Sequence, residues 1–291
     1  MNEQVLEGRG TFTQATPATE ARQRVNERIE RLDLVRNVAE LESVGYTVIE
    51  DAAPAEMFEE IREAIIGVTD EHRARGVEPF NFGPNTSMVY RLLASREVFA
   101  RAVLTPKLTA LVGYLLGDGY VAQVATGSIL EEGALAGPLH ADNQFFPDPF
   151  PVQVHMATAI WCCDPFSGPE GSTHVVPGSN RRFRHPRPGE GVDEAVPVVA
   201  EAGSIVLWSG HTWHRSGART VPGQRVALHT GFSRPHIRAF EAYRPDEIER
   251  LVALDERFTR LVGADLPYDC RDDSPELTKL LALAATTQAQ A

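Results

Sequence analysis

The sequence has few cysteines, no long apolar run and no excess of basic residues, and each of these shortages excludes a class of protein. Three cysteines, two of them adjacent in the apolar run AIWCC, are too few for a disulfide framework and are expected to be buried and unreactive. No apolar stretch approaches the roughly 20 residues of a membrane span, and the opening MNEQVLEGRG lacks the apolar core of a secretion signal. We therefore expect a cytoplasmic protein without a membrane partner.

Acidic residues outnumber basic ones, because 28 Lys and Arg stand against 40 Asp and Glu, which gives a formal net charge of −12. An acidic surface argues against nucleic acid as the main partner, and we expect a small-molecule substrate instead. A length of 291 residues with 43% hydrophobic content is ample for one large domain with a substantial buried core.

The first part of the chain carries helical periodicity. One amphipathic helix is predicted over residues 19–43 and a second over about 54–72, with a short strand between them at 47–50. Further helices are predicted over 95–102 and 106–116. We expect these helices to cover the outer face of a β-sheet. The inward stripe of the first helix is predicted to consist of Val25, Ile29, Leu32, Val35, Val38 and Leu41.

From Tyr120 to Phe232 the pattern changes to short strands separated by Gly and Pro clusters. Roughly eight such strands predict a mainly β protein with flanking helices and a double-stranded β-helix core, the cupin-like jelly roll. Side chains from separate strands converge on one point only if the sheet folds over on itself. The predicted strands are 120–129, 138–146, 152–163, 173–176, 196–199, 204–208, 212–217 and 225–232.

The predicted organisation is one domain, 18–291, after a polar and unpatterned N-terminus, 1–17, that we expect to be flexible. An amphipathic helix is predicted over 245–265, and its apolar stripe packs on the core or, alternatively, contacts a second copy in a homodimer. The domain is predicted to consist of a helical cover at 18–117, a jelly-roll core at 118–235 and C-terminal helices at 240–285.

The stretch PLHADNQ places an imidazole and a carboxylate two residues apart, at His140 and Asp142. In an extended segment the side chains at i and i+2 leave the same face, so both can point at one ion. The third ligand is predicted to be His214 in HTWHRSG, with His211 as its competitor. Two imidazoles and one carboxylate on one face of an octahedron leave positions free for substrates, which favours non-haem iron(II) over a closed structural zinc site.

Arg225 stands eleven residues after His214, and the Pro222-Gly223 turn signal between them predicts a hairpin that brings both side chains to the same interior. An arginine inside a β-core needs an anionic partner, and its planar fork suits a carboxylate. No acidic residue lies near it in the strand. We therefore expect it to hold the far carboxylate of a bound 2-oxo acid, with Ser216 donating a further hydrogen bond.

With these residues the sequence resembles the phytanoyl-CoA dioxygenase family of iron(II)- and 2-oxoglutarate-dependent oxygenases. The family's His-x-Asp, distal His and cosubstrate Arg match His140, Asp142, His214 and Arg225, with Ser216 between the last two. The resemblance implies Fe(II), 2-oxoglutarate and O2 as cofactor and cosubstrates. It also implies hydroxylation of an unactivated C–H bond of a small organic molecule, with release of succinate and CO2.

The resemblance extends over about residues 38–235. It places Gln123 where related enzymes carry a glutamine in the cosubstrate pocket. The segment GSTHVVPGSN at 171–180 is similar to the family's Pro-Gly-Ser-His segment, although Asn180 replaces the final His.

Several other residues have both a functional and a structural interpretation. In the aperiodic segment 76–91, we expect Phe80, Asn81, Phe82 or Met88 to border a substrate cavity, with a surface-packed loop as the alternative. The arginines of NRRFRHPR, which are Arg181, Arg182, Arg184 and Arg187, either bind an anion or, as the favoured interpretation, form a solvated loop that balances acidic neighbours.

Two further histidines are candidates for the pocket. His229 shares the face of Arg225, four residues earlier, and is either a pocket residue or a hydrogen-bonded interior histidine. His155 shares a face with Ala157 and Ala159, whose small side chains would leave room for a cosubstrate.

A second class of function stays open from the residues alone: a metal-containing jelly-roll isomerase or small-molecule binding protein that does not activate oxygen. Arg225 discriminates between the two, because a dicarboxylate pocket needs it and a plain binding barrel does not. Within the oxygenases, desaturation, epoxidation or rearrangement stand beside hydroxylation, and no motif selects the substrate.

Overall fold

The computed structural model describes residues 18–77, 79, 83–143 and 146–266. The predicted flexible segment 1–17 lies outside these residues. So does the part of the predicted C-terminal helices that follows residue 266.

The described residues form nine strands in two antiparallel sheets, a six-stranded sheet and a three-stranded sheet. The strands are β1 (Tyr46–Ile49), β2 (Thr86–Val89), β3 (Val121–Glu131), β4 (Met156–Cys162), β5 (Thr173–Val175), β6 (Val196–Pro197), β7 (Ile205–Ser209), β8 (His214–Ser216) and β9 (Gln224–Ser233).

The larger sheet has the order β1-β7-β4-β9-β3-β2, and the smaller has the order β6-β5-β8. The central strand β9 pairs with β4 on one side and β3 on the other. Because neighbouring strands come from distant parts of the chain, the sheets fold over each other as a jelly roll. This architecture confirms the predicted fold class.

Side chains of the six-stranded sheet alternate between an outer face under the helices and an inner face toward the smaller sheet. On β4, Ala159 and Trp161 belong to the core that the helices share. The alternate residues Ile160 and Cys162 pack instead with Val175 of β5. The two faces therefore have different neighbours along the same strand.

Seven α-helices lie in the described residues. The ring of Phe58 packs with its centroid 5.2 Å from that of Trp161, which joins the longest of these helices to the outer face of the sheet. The helices are α1 (Ala18–Arg31), α2 (Val35–Ser43), α3 (Ala55–Ala74), α4 (Glu97–Val103), α5 (Pro106–Leu116), α6 (Pro245–Leu254) and α7 (Phe258–Leu261).

No single helix of the described residues is long and apolar enough to cross a membrane. Helices α4 and α5 reach the length and apolar composition of a span only when they are taken together, and the chain bends by 53° between them.

The prediction of one helix over 19–43 is wrong, because α1 ends at Arg31 and α2 begins at Val35. Asp33 has a left-handed backbone with φ of 55° between them. The break shifts the phase of the apolar stripe by one residue, so that Leu34 is 2% exposed and Val35, which was predicted to be inward, is 58% exposed. Gly45, with φ of 90°, then turns the chain into β1.

The predicted helix over 245–265 is also two helices. Asp255 has an extended backbone that ends α6, and the chain resumes as α7 at Phe258. Leu254, predicted to lie on the inward stripe, is 48% exposed, whereas Phe258 is fully buried. The side chain of Asp255 accepts hydrogen bonds from the backbone and the guanidinium of Arg257, which stabilises the break.

The predicted strand 138–146 is wrong, and the strand β2 was not predicted. Among the described residues of 138–146, only His140 forms a β-bridge, and the chain leaves the sheet directly after it. Thr86–Val89 pairs with β3 although its sequence shows no alternation, since it is an edge strand with one neighbour.

Candidate metal and cosubstrate site

Three side chains from distant parts of the sequence converge between the two sheets. The ligand atoms of His140, Asp142 and His214 all lie within 4.8 Å of one another. Oδ1 of Asp142 lies 3.7 Å from Nε2 of His140 and 3.5 Å from Nε2 of His214. Among the described residues, this is the one group of His, Cys, Asp and Glu with spacing suited to a metal ion.

The backbone holds the two imidazoles side by side. The amide of His140 donates to the carbonyl of His214 at 3.0 Å, and the amide of His214 donates back at 2.8 Å. This pair of bonds sets the ring centroids 4.4 Å apart. Asp142 follows two residues later on the same side, so the reasoning from alternation places it correctly even though the segment is not a regular strand.

Each ligand is oriented by a hydrogen bond on its far side. Nδ1 of His140 donates to the carbonyl of Pro138, and Nδ1 of His214 donates to the carbonyl of Thr212, both at 3.0 Å. The Nε2 lone pairs are therefore left to face the ion position.

The carboxylate of Asp142 is held in the same way by its Oδ2 atom. Oδ2 accepts hydrogen bonds from Oγ1 of Thr158 at 2.7 Å and from Nε1 of Trp208 at 3.0 Å. Oδ1 stays directed at the imidazoles. Two imidazole nitrogens and one fixed carboxylate oxygen suit a divalent transition metal with open positions.

The charge states favour metal binding near neutral pH. Burial lowers the pKa of His214 to about 4, so its imidazole is neutral. Burial alone would raise the pKa of Asp142, but the two imidazoles and the hydrogen bonds from Thr158 and Trp208 outweigh it, and the pKa is lowered. The carboxylate is therefore ionised beside the neutral ring of His214.

Arg225 lies in the same interior, at the start of β9, and is 2% exposed. Nη2 donates to the carbonyl of Gly171 at 2.8 Å and Nη1 donates to Oγ of Ser128 at 3.4 Å. The guanidinium lies over the ring of Phe166, 5.0 Å from its centroid. Nε is buried and has no hydrogen-bond partner.

No carboxylate within ion-pair distance of Arg225 occurs in the part of the chain that the structure describes. Burial lowers the pKa of Arg225 to about 10, so the side chain is still charged at neutral pH. A buried cation with unused donors is costly unless an anion compensates it. Arg225 therefore has the properties of a carboxylate-binding residue. It lies in the same interior as His140, Asp142 and His214, which we call the metal group.

The comparison with known proteins agrees with this geometry. The family model described as phytanoyl-CoA dioxygenase (PhyH) matches residues 41–227, which is more than half of the chain. The chain belongs to the phytanoyl-CoA dioxygenase family. The match confirms the resemblance to this family that the sequence motifs indicate.

A sequence relative supports the same assignment. Dioxygenase af480 of Aspergillus fumigatus is 29% identical over 186 residues, which are 62% of this chain and 54% of the relative. The match thus spans about half the length of that relative.

Two solved structures share the fold. EctD of S. alaskensis, crystallised with bound Fe, has a TM-score of 0.59 and 18% identity, covering 72% of this chain and 81% of its own. The epimerase SnoN, crystallised with Fe3+, alpha ketoglutarate and nogalamycin RO, has a TM-score of 0.56 and 20% identity, covering 76% and 90%.

Other predicted site residues of this family member are placed less simply. Ser216 lies on β8 opposite Thr173, two residues from the Gly171 carbonyl that Arg225 contacts. Its hydroxyl accepts a hydrogen bond from the amide of Gly137 at 3.0 Å. The described contacts do not join Ser216 to Arg225, and its cosubstrate role stays a prediction.

Gln123 does not join the group around Arg225. It is the extra residue of a bulge in β3, near the opposite end of β9 from Arg225. Its amide donates to Ser233 at 2.6 Å and accepts from the amide of Phe240 at 3.1 Å. These bonds occupy the side chain in holding the segment that follows β9.

His211, the competitor for the third metal position, and His155, a pocket candidate, both lie apart from the metal group. His211 is 2% exposed and packs between the rings of Phe150 and Phe183. His155 hydrogen-bonds His236 at 2.8 Å. The cosubstrate space predicted beside Ala157 and Ala159 does not exist, because both alanines face the helices on the outer side of the sheet.

The arginine-rich segment is paired with acidic residues, as the favoured interpretation expects. Arg182 forms an ion pair with Glu194 and Arg184 forms one with Glu190. Both guanidinium groups also lie over the ring of Trp213.

The remaining predictions concern the loop and the cysteines. Phe80, Asn81 and Phe82 lie outside the described residues, while Met88 pairs with Ser128 and so shares the inner face. Burial raises the pKa of Cys162 to about 12, which agrees with an unreactive thiol.

Sequence reasoning missed the residues that orient the predicted ligands, namely Thr158, Trp208 and Ser128. A signal was present, since Thr158 is a polar residue within the apolar run MATAIWC and alternation places it beside Ile160 on the inner face. The partner that each would contact was not visible without the register of the strands.

Proposed function

We propose that this chain hydroxylates an unactivated C–H bond of a small organic molecule, with conversion of 2-oxoglutarate and O2 to succinate and CO2. His140, Asp142 and His214 would hold iron(II), whose open positions supply the oxygen chemistry when the metal is bound. The protein's own part is to fix the three ligands, to anchor the cosubstrate and to exclude water.

The observation that carries the proposal is the buried guanidinium of Arg225 on the same inner face as the His-Asp-His group. A plain metal-binding barrel has no need for a buried cation with unused N–H donors. An enzyme that binds a dicarboxylate does, because the carboxylate neutralises the guanidinium and takes up its free donors. This favours the oxygenase over the isomerase or binding module.

Succinate formation tests the class of reaction directly. Purified protein would be supplied with Fe(II), ascorbate and 2-oxoglutarate in air, and succinate would be measured with and without a panel of candidate substrates. We expect slow succinate release alone and faster release with an accepted substrate. A protein that binds iron but never forms succinate would belong to the isomerase or binding class.

The outcome for the substrate separates hydroxylation from desaturation and from rearrangement. With isotopically labelled O2, hydroxylation adds one labelled oxygen atom to the product. Desaturation removes two hydrogen atoms without adding oxygen, and rearrangement or epimerisation leaves the composition unchanged. Mass spectrometry of the product would distinguish these results.

A further inference from the structure

The inner face of the large sheet is open at a few positions. On strands β3, β4 and β9, apart from residues at strand ends, the positions that keep accessible surface are Val124 on β3, Thr158 on β4 and His229 on β9. These three strands are adjacent in the sheet. Since Thr158 contacts Asp142, this partly accessible part of the inner face begins beside the metal group.

His229 occupies a defined place in this space. It lies on the same face of β9 as Arg225, four residues further along the strand and opposite Ile160 and Thr126. Strand geometry puts about 13 Å between the α-carbons of residues four positions apart. A side chain there flanks the path from the metal group to Arg225.

Hydrogen bonding favours one tautomer of His229. Oγ of Ser128 accepts from Nη1 of Arg225 and lies 2.8 Å from Nε2 of His229, which favours the arrangement in which the hydroxyl donates its own proton to Nε2. A neutral imidazole that accepts at Nε2 carries its proton on Nδ1. Burial, together with the nearby Arg225, lowers the pKa of His229 to about 3, so the ring is neutral at pH 7.

The Nδ1–H of His229 is free to bind a ligand. It has no hydrogen-bond partner among the described residues and is not among the polar atoms sealed in the interior. A neutral donor suits a carboxylate oxygen that is already balanced by Arg225, since a second buried cation would add a desolvation cost.

We propose that His229 is a positioning residue for 2-oxoglutarate, donating a hydrogen bond from Nδ1 to an oxygen of the cosubstrate carboxylate that Arg225 binds. The inference rests on the proposed function. It adds a chain of contacts, Arg225 to Ser128 to His229, in which the anchor of the carboxylate also favours the tautomer of the second donor.

Binding of 2-oxoglutarate to the Fe(II)-loaded protein without O2 tests the proposal, by calorimetry and by the visible charge-transfer absorption of the complex. A hydrogen bond to a charged group is worth about 10- to 100-fold in affinity, so we expect His229→Leu to weaken binding by that factor. His229→Asn places an amide N–H near the Nδ1 position and should recover most of the affinity, whereas His229→Gln should not.

The rescue by Asn but not Gln separates positioning from packing, because a merely structural role would not distinguish the two amides in this way. His155→Leu serves as the control histidine, with affinity expected to be unchanged. If His229→Leu binds 2-oxoglutarate as tightly as the wild type while Arg225→Met does not, the role of His229 is refuted and the proposed function stands. If the Fe(II)-loaded wild type binds no 2-oxoglutarate, both are refuted.

Discussion

The two faces of the six-stranded sheet do different work although they are built from alternating residues of the same strands. On the outer face, Trp161 is fully buried and packs against the ring of Phe58 of α3 in the core below the helices. On the inner face, Thr158 directs its hydroxyl at Asp142, and Arg225 keeps donors unused. Stability and ligand binding are thus separated by a period of two residues.

We expect the two faces to respond differently to substitution. Substitutions on the outer face should change the free energy of unfolding and leave ligand affinity intact in the folded protein. Substitutions of the inner-face residues that contact the metal group or the cosubstrate should do the reverse.

The largest effect is expected for the carboxylate of the metal group. Asp142→Asn keeps the shape and the contact with Trp208 but removes the charge that offsets a cation. We expect iron affinity to fall by more than about 100-fold, which exceeds the loss typical for residues that only orient ligands. Metal analysis after anaerobic loading measures it.

Asp164 provides a matched carboxylate outside the metal group. It accepts from Nε of Arg62 at 3.0 Å and from the amide of Val226 at 2.7 Å. Asp164→Asn should lower the free energy of unfolding by about 1–3 kcal/mol and leave iron affinity unchanged. Equal iron binding by the two variants would contradict the assignment of Asp142.

The outer face is tested by a pair of tryptophans. Trp161→Ala leaves a large cavity beside Phe58 and should cost about 3–5 kcal/mol in urea unfolding, with iron affinity retained in the folded fraction. Trp208→Phe keeps a ring on the inner face and removes the N–H that holds Asp142. That variant should lose iron affinity with little loss of stability, and the opposite pattern would refute the separation of faces.

His211 is buried but lies outside the metal group, so it shows how burial of a histidine changes stability with pH. Burial lowers the pKa of His211 from 6.5 to about 4. The unfolded chain therefore binds the proton first, and the stability present above about pH 6.5 is lost as the pH falls toward 4. The loss from this residue amounts to about 3 kcal/mol.

His211→Phe tests this pH dependence, since a phenyl ring fits between Phe150 and Phe183. In urea unfolding at several pH values, we expect the variant to match the wild type near pH 7 and to lose about 3 kcal/mol less by pH 4. An identical decline in both proteins would show that His211 does not titrate as a buried group.

Alternation and spacing were enough to predict that the candidate ligands come together and that Arg225 points into the same interior, because each position follows from its place along an extended segment. His140 and Asp142 followed from the two-residue period, and Arg225 from the hairpin after His214. The orienting contacts were beyond reach, since Thr158 and Trp208 meet Asp142 only through pairing of β4 with β7. The helix breaks at Asp33 and Asp255 were not predicted either. The apolar residues recur at helical spacing on both sides of each break, so the sequence pattern looks continuous.

Arg225 is tested against a second buried arginine. We expect Arg225→Met to weaken 2-oxoglutarate binding by about 100-fold, in keeping with loss of a charge-assisted pair. The free energy of unfolding should change by less than about 2 kcal/mol, because no carboxylate partner is left behind in the free protein. Calorimetry and urea unfolding measure the two quantities.

Arg219 is the control, because all of its described hydrogen bonds go to backbone carbonyls, those of Glu170, Pro222 and Gly223. Arg219→Met leaves these acceptors without a donor and should destabilise the fold by about 3 kcal/mol or more. If Arg225→Met proved as destabilising as Arg219→Met while still binding 2-oxoglutarate, Arg225 would be a structural residue and the inner face would lose its anchor.

The smallest effect is expected at Thr158, whose hydroxyl is one of two donors to Oδ2 of Asp142. Thr158→Val preserves the shape and the β-branch and removes the hydrogen bond, so the carboxylate keeps only Trp208 as its support. Loss of one orienting partner typically lowers metal affinity by about 10-fold. Thr158→Ser, which restores the hydroxyl, should return iron affinity to near the wild-type value. If Val and Ser behave alike in metal titration, the hydroxyl does not orient Asp142, and the inner face positions its ligands through packing alone.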